Sequence, residues 1–70
     1  ADILDLDAER ARLQKTMASV EDEISKISRK LDNPGFVAKA PAAVVEENRR
    51  RLDEENTRRS AIEAALARLG

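Results

Sequence analysis

The stretch DNPGFVAKAP, residues 32–41, decides the fold of this 70-residue chain, because it contains both prolines and the only aromatic residue. Asn33 precedes Pro34 and is pushed out of the α region, so a helix that reaches it must end there. Gly35 can take a left-handed conformation just beyond that end. Pro41 suits the first turn of a second helix, where its missing N–H costs no hydrogen bond.

On both sides of this stretch, seam residues recur at alternating intervals of three and four, the heptad pattern of a coiled coil. The seam positions before the stretch are Leu6, Arg10, Leu13, Met17, Val20, Ile24, Ile27 and Leu31. The seam positions after it are Val45, Asn48, Leu52, Glu55, Arg59, Ile62, Leu66 and Leu69. Two helices of near-equal length joined by a short connection pack antiparallel and bury such stripes against each other.

The sequence therefore predicts an all-α fold, a two-helix antiparallel coiled-coil hairpin that forms a single domain over residues 1–70. We expect helices at about 3–32 and 41–69 and a turn at 33–40. The middle of the hairpin is weaker than its ends, because Glu55 and Arg59 occupy seam positions there. We expect these two side chains to pair at i,i+4 and to cover the seam with their aliphatic stems.

The composition excludes several classes of function. The chain has no Cys and no His, which removes disulfides, thiol and imidazole catalysis and the common zinc sites. Its glycines are too few for a phosphate-binding loop, and a two-helix rod has no concavity, so we expect no catalytic residue, metal or cofactor in this segment. No apolar run approaches the roughly 20 residues of a membrane span, so we expect no membrane and a cytoplasmic location. Because the chain begins with Ala, we expect it to be a piece of a larger protein.

The net charge of −1 hides a gradient along the hairpin. Residues 26–51, the tip, hold seven bases and three acids, a net charge of +4, whereas the remaining residues, the root, have a net charge of −5. A basic tip on an acidic stem favours contact with an anionic partner.

A different interpretation is that these bases only support solvated helices. The acid-first i,i+4 pairs are Asp22–Lys26, Glu46–Arg50, Glu47–Arg51, Glu54–Arg58 and Glu55–Arg59. Bases that lack such a partner include Lys15, Arg29, Lys30 and Arg49, and Lys39 in the turn.

The segment NPGFVAKAPAAVVEENRRRL, residues 33–52, has the order Asn-Pro, Phe-Val, Lys-Ala-Pro and Val-Val-Glu. With this segment, about residues 3–69 resemble the C-terminal coiled-coil arm that binds tRNA in bacterial valyl-tRNA synthetase. Some ABC-F ATPases end in a related helical hairpin, but their connector lacks the Phe-Val-x-Lys-Ala-Pro order. A structural or nucleic-acid-binding hairpin of that type is the alternative.

The resemblance implies a parent enzyme, a valine–tRNA ligase that uses ATP with magnesium and keeps catalysis in upstream domains. The arm would reach over the outer corner of tRNA, where the D and T loops meet. Such holding contributes affinity equally in ground and transition states, so it lowers KM with little effect on kcat. The implied partners are the tRNA for valine and the upstream domains, and we expect a monomer.

The charge distribution supplies the candidates for RNA contact. The primary candidates are Arg29, Lys30, Lys39, Arg49, Arg50, Arg51 and Phe36, and the secondary candidates are Arg12, Lys15, Lys26 and Arg58. Arg51 and Arg58 share a flank of the second helix. Phe36 has two interpretations: it plugs the open end of the seam, or it stacks on an exposed base. A spacer or dimerising coiled coil, by contrast, would bind no RNA.

Overall fold

The computed structural model describes the backbone of residues 3–70 and the side chains of residues 5–70; residues 1–2 of the predicted domain lie outside the described part. Within it, three helices follow one another: α1 (Ile3–Asp32), α2 (Pro34–Lys39) and α3 (Ala42–Leu69). The long helices α1 and α3 pack against each other, and α2 contacts α1. The molecule is a rod of 53 × 14 × 13 Å. The predicted helical hairpin is confirmed.

The antiparallel arrangement is visible at the root. Arg10 Nη2, near the start of α1, donates a hydrogen bond of 3.3 Å to the backbone carbonyl of Leu69, at the end of α3. The first and last turns of the rod are therefore neighbours, although 59 positions separate these two residues in the chain.

The connection between the long helices contains a short helix where the sequence predicted an open turn. Asn33 is extended (φ −85°, ψ 109°), as expected of a residue before proline, and its side-chain oxygen accepts a hydrogen bond of 2.9 Å from the Gly35 N–H. Gly35 does not take the left-handed conformation that is open to it, because neither glycine has a positive φ. The Asn33 cap satisfies the Gly35 N–H and starts α2, so no left-handed residue is needed after α1.

A second break follows α2 and completes the reversal of the chain. Ala40 (φ −72°, ψ 146°) and Pro41 (φ −57°, ψ 146°) are both extended. The Pro41 carbonyl accepts hydrogen bonds from the backbone N–H groups of Val44 (2.9 Å) and Val45 (3.2 Å). Pro41 thus caps α3 from the position just before its first turn, one residue earlier than an N1 proline would stand.

The side chains buried between α1 and α3 are those of the predicted seams. The core of the described residues consists of Val20, Ile27, Val45 and Ile62, each between 2% and 7% exposed. The other predicted seam residues are half-buried, except Leu6 near the root, which is 40% exposed. A two-helix rod has one interior stripe, so a seam residue at its end has no neighbour to cover its outer side.

The ion pair predicted for the middle of the seam, between Glu55 and Arg59, does not form. Glu55 and Arg59 are half-buried seam residues, as expected, but they do not pair with each other. Arg59 Nε lies 3.4 Å from a carboxylate oxygen of Glu63, and Glu55 lies 3.9 Å from Arg58 Nη1. Both new partners stand on exposed flanks, which keeps the charges near water, whereas a Glu55–Arg59 pair would desolvate both charges over the seam. The Arg59 Nε–H is itself buried and donates no hydrogen bond.

Candidate functional site

The surface of the rod, not a cavity, is where this chain can bind a partner. The described residues form no pocket. Among them, no three acidic, His or Cys side chains cluster as a metal site would require. No helix in the described part of the chain is both long and apolar enough to span a membrane. Any site must therefore be sought among exposed side chains, and the charged tip is the first candidate.

The ends of two helices position cations at the tip. Arg29 and Lys30 lie in the last turn of α1, and Lys39 lies in the last turn of α2. The carbonyl end of a helix carries a partial negative charge, so these positions stabilise the cations there. All three side chains are exposed, and α2 carries Lys39 beyond the end of the seam.

Three of the seven tip cations are held by acidic neighbours on the same helix. The ion pairs are Lys26–Asp22 at 3.0 Å, Arg49–Glu46 at 2.8 Å, Arg50–Glu47 at 2.6 Å and Arg50–Glu54 at 2.8 Å. The hydrogen bond from Arg50 lowers the pKa of Glu47, and the same bond raises the pKa of Arg50. The hydrogen bond to Asp22 likewise raises the pKa of Lys26. Each of these three cations therefore has a carboxylate oxygen within 3.0 Å.

Only one of the predicted i,i+4 pairs forms, Asp22–Lys26. The predicted pairs Glu46–Arg50, Glu47–Arg51, Glu54–Arg58 and Glu55–Arg59 are wrong. On α3 the arginines instead reach back three residues to Glu46 and Glu47, and Arg50 also reaches forward to Glu54. Pairs at i,i+3 and i,i+4 differ little in energy, so spacing alone does not choose between them. In consequence Arg49 is paired and Arg51 is not, the reverse of the expectation.

The other four tip cations form neither an ion pair nor a hydrogen bond with any described residue. They are Arg29, Lys30, Lys39 and Arg51, and all of them are exposed. The charge of Arg51 still makes a minor contribution to the low pKa of Glu47. An unpaired cation is free to meet an external anion without first losing an internal partner. These four side chains are the part of the predicted site that the structure leaves available.

The remaining candidates differ in their surroundings. Arg12 is paired with Glu9, Arg58 lies 3.9 Å from Glu55, and Lys15 has no partner among the described residues. Phe36 is half-buried, as is Val37 beside it. The role of each candidate in RNA contact stays a prediction.

The seam divides the flanks of the hairpin into two edges. The seam positions of each helix alternate between the a and d positions of the heptad. In two antiparallel helices, the residues just before the a positions lie along one edge, and the residues just after the d positions lie along the other. The first, here called the Lys30 edge, comprises Glu23, Lys30, Val44, Arg51 and Arg58. The second, the Arg49 edge, comprises Glu21, Ser28, Arg49, Asn56 and Glu63.

Sequence reasoning missed Val44. Val44 is 42% exposed and, with Leu6, is one of two large apolar side chains in the described residues with such exposure. It stands one position before the buried Val45, on the Lys30 edge. Its place just outside the heptad seam was the available signal, because an apolar residue there is not needed for helix packing.

Comparison with known proteins places the chain in a family. The family described as "Valyl tRNA synthetase tRNA binding arm" matches residues 5–70. The chain is 49% identical over 69 residues to the valine–tRNA ligase of Caulobacter vibrioides, and 52% identical over 67 residues to that of Gluconobacter oxydans. These matches cover 99% and 96% of the chain and 8% of each ligase, so the chain spans about 8% of the length of these curated relatives. No solved structure matches. The family match over residues 5–70 and these identities show that the chain belongs to the valyl-tRNA synthetase tRNA binding arm family.

Proposed function

We propose that this chain is the tRNA-binding arm of a valine–tRNA ligase and that its tip contacts the outer corner of tRNA, where the D and T loops meet. The observation that carries the proposal, beside the family, is the group of four exposed tip cations without an internal partner. The tip lies at the end of a 53 Å rod whose root is acidic. The basic tip therefore attracts an anionic polymer, and the acidic root repels it.

The mechanism is one of holding. Lys and Arg contacts to phosphates fix the position of a nucleic acid without reading its sequence. The two loops at the tRNA corner also expose bases and sugars, which proteins contact by shape and stacking. Adenylate formation and acyl transfer, with ATP and magnesium, belong in this proposal to upstream domains of the parent ligase. Loss of the arm then raises KM for tRNA and leaves kcat nearly unchanged.

The alternative is a spacer or a dimerising coiled coil. Such a role needs an apolar surface for a second copy or another partner. In the described residues the exposed large apolar side chains are Leu6, near the root, and Val44, near the tip. Because these two stand near opposite ends of the rod, they form no continuous stripe. This separation supports the monomer in the proposal and disfavours the dimer.

An NMR titration of the isotope-labelled 70-residue chain with whole tRNA tests the proposal. We expect the amide shifts at low salt to concentrate in residues 26–51, the tip. The affinity should fall as salt rises, with a slope in log–log form of about 0.7 to 0.9 per phosphate contacted.

Two controls sharpen this experiment. A plain RNA hairpin of equal charge should bind more weakly than folded tRNA, because it lacks the joined D and T loops. Binding that is absent at low salt would favour the spacer. Shifts that run along the root would place the RNA on the stem, where Arg12, Lys15 and Arg58 would be the next candidates.

A further inference from the structure

The unpaired cations of the tip are unequally divided between the two edges of the hairpin. On the Lys30 edge, both cations within the tip, Lys30 and Arg51, form no ion pair or hydrogen bond with a described residue. On the Arg49 edge the tip has one cation, Arg49, and Glu46 holds it at 2.8 Å. The two edges thus differ in available positive charge.

The Lys30 edge also carries the exposed apolar side chain of the tip. Val44 and Arg51 are seven residues apart on α3, which places them on one flank about 10 Å apart along the helix axis. Lys30 contributes the second cation from α1. An apolar side chain on the same edge as cations suits a nucleic-acid strand, which presents sugar and base carbons between its phosphates.

The edge changes character toward the root. One heptad before Lys30, the same flank of α1 carries Glu23, which forms no ion pair with a described residue. On α3, the next cation after Arg51 is Arg58, which lies near the carboxylate of Glu55. The favourable surface therefore ends within one heptad of Lys30 and Arg51.

We propose that the RNA lies against the Lys30 edge, with Lys30 and Arg51 on phosphates and Val44 against sugar or base carbons. The inference rests on the proposed function and adds which side of the rod faces the RNA. Lys39, in the last turn of α2, is a further exposed cation of the tip without an internal partner. The paired cations Lys26, Arg49 and Arg50 support their helices and make no phosphate contact.

Two double variants of the 70-residue chain test the edge. The first, Lys30→Gln with Arg51→Gln, removes the unpaired cations of the Lys30 edge. The matched control, Lys26→Gln with Arg49→Gln, removes the same charge from the same helices, but from ion-paired positions. Binding to tRNA is measured by fluorescence titration at several salt concentrations, and helicity by circular dichroism.

We expect the first double variant to lose about tenfold or more in affinity at low salt and to reduce the salt slope by roughly 1.4 to 1.8, the value for two phosphate contacts. The control should stay within about threefold of the unmodified chain with its slope unchanged, because its cations meet carboxylates and not phosphates. Equal losses in both double variants would overturn the edge while leaving tRNA binding intact. Failure of the unmodified chain to bind tRNA would instead overturn the proposed function.

A second pair of variants tests which edge faces the RNA through substitutions that should strengthen tRNA binding. Glu23→Gln removes a negative charge from the Lys30 edge, and Glu21→Gln removes one from the Arg49 edge. Neither glutamate forms an ion pair with a described residue. We expect Glu23→Gln to strengthen tRNA binding by about two- to threefold and Glu21→Gln to change it less, because repulsion is screened over about 10 Å. A larger gain from Glu21→Gln would refute the assignment of the edge.

Discussion

The substitution Arg59→Met should stabilise the hairpin. Arg59 occupies a seam position in the middle of α3, where its Nε–H is buried and donates no hydrogen bond. Met keeps a stem of similar length and a similar helix propensity, and it removes the unsatisfied donor. The perturbation therefore isolates the cost of a polar group in the seam.

The magnitude follows from two opposing terms. A buried donor left without a partner costs about 1–3 kcal/mol. The Glu63 carboxylate oxygen lies 3.4 Å from this same Nε of Arg59 but accepts no hydrogen bond from it. The two side chains of this ion pair are 39% and 60% exposed, so loss of the pair costs about 0–1 kcal/mol. The first term is larger, and we expect a net gain of about 1 kcal/mol, or roughly 4–8 °C in Tm for a chain of this size.

Urea unfolding followed by circular dichroism measures this change. Glu63→Gln serves as the control, because it removes the ion pair and leaves the Arg59 Nε–H in place; we expect a loss of at most about 0.5 kcal/mol. A lower stability for Arg59→Met, together with an unchanged Glu63→Gln, would refute the reasoning. That result would show that the guanidinium group stabilises the seam through contacts other than its pair with Glu63.

Three further predictions concern single side chains. Val20→Ala should cost about 1.5–3 kcal/mol of unfolding free energy, since Val20 is 2% exposed, whereas Val44→Ala at 42% exposure should cost under about 0.5; equal losses in urea unfolding would contradict the assigned seam. Phe36→Ala should lower Tm and reduce tRNA affinity only in proportion, because Phe36 is half-buried in a helix that contacts α1; lost affinity with unchanged Tm would indicate base stacking. The hydrogen bond from Arg50 lowers the folded-state pKa of Glu47 below its ordinary 4.5, so this pair stabilises the fold above that pH and its contribution is lost as pH falls through the folded value. Glu47→Gln should therefore weaken the acid dependence of helicity, and an acid titration identical to that of the unmodified chain would show that the pair contributes nothing.

The sequence by itself determined the architecture of the hairpin, because the signals involved are local. Pro34 restricts the backbone of Asn33, and Pro41 cannot donate to a preceding turn, so both breaks follow from the covalent structure of proline. The alternation of three and four residues is equally a property of the linear chain, and the sixteen seam positions that it predicted include the four most buried side chains. The order of residues around this connector also sufficed for the family resemblance, which the comparisons confirmed.

Only the tertiary structure decided the details on which the candidate site depends. Gly35 was free to take either hand, and the cap from Asn33 placed it in a short helix. Arg49, Arg50 and Arg51 on α3 each have acids within reach on both sides, at energies that differ by a few tenths of a kcal/mol, so spacing alone does not choose the partner. That choice freed Arg51 and engaged Arg49. Each edge combines residues of α1 with residues of α3. The two edges therefore exist only once α1 packs against α3.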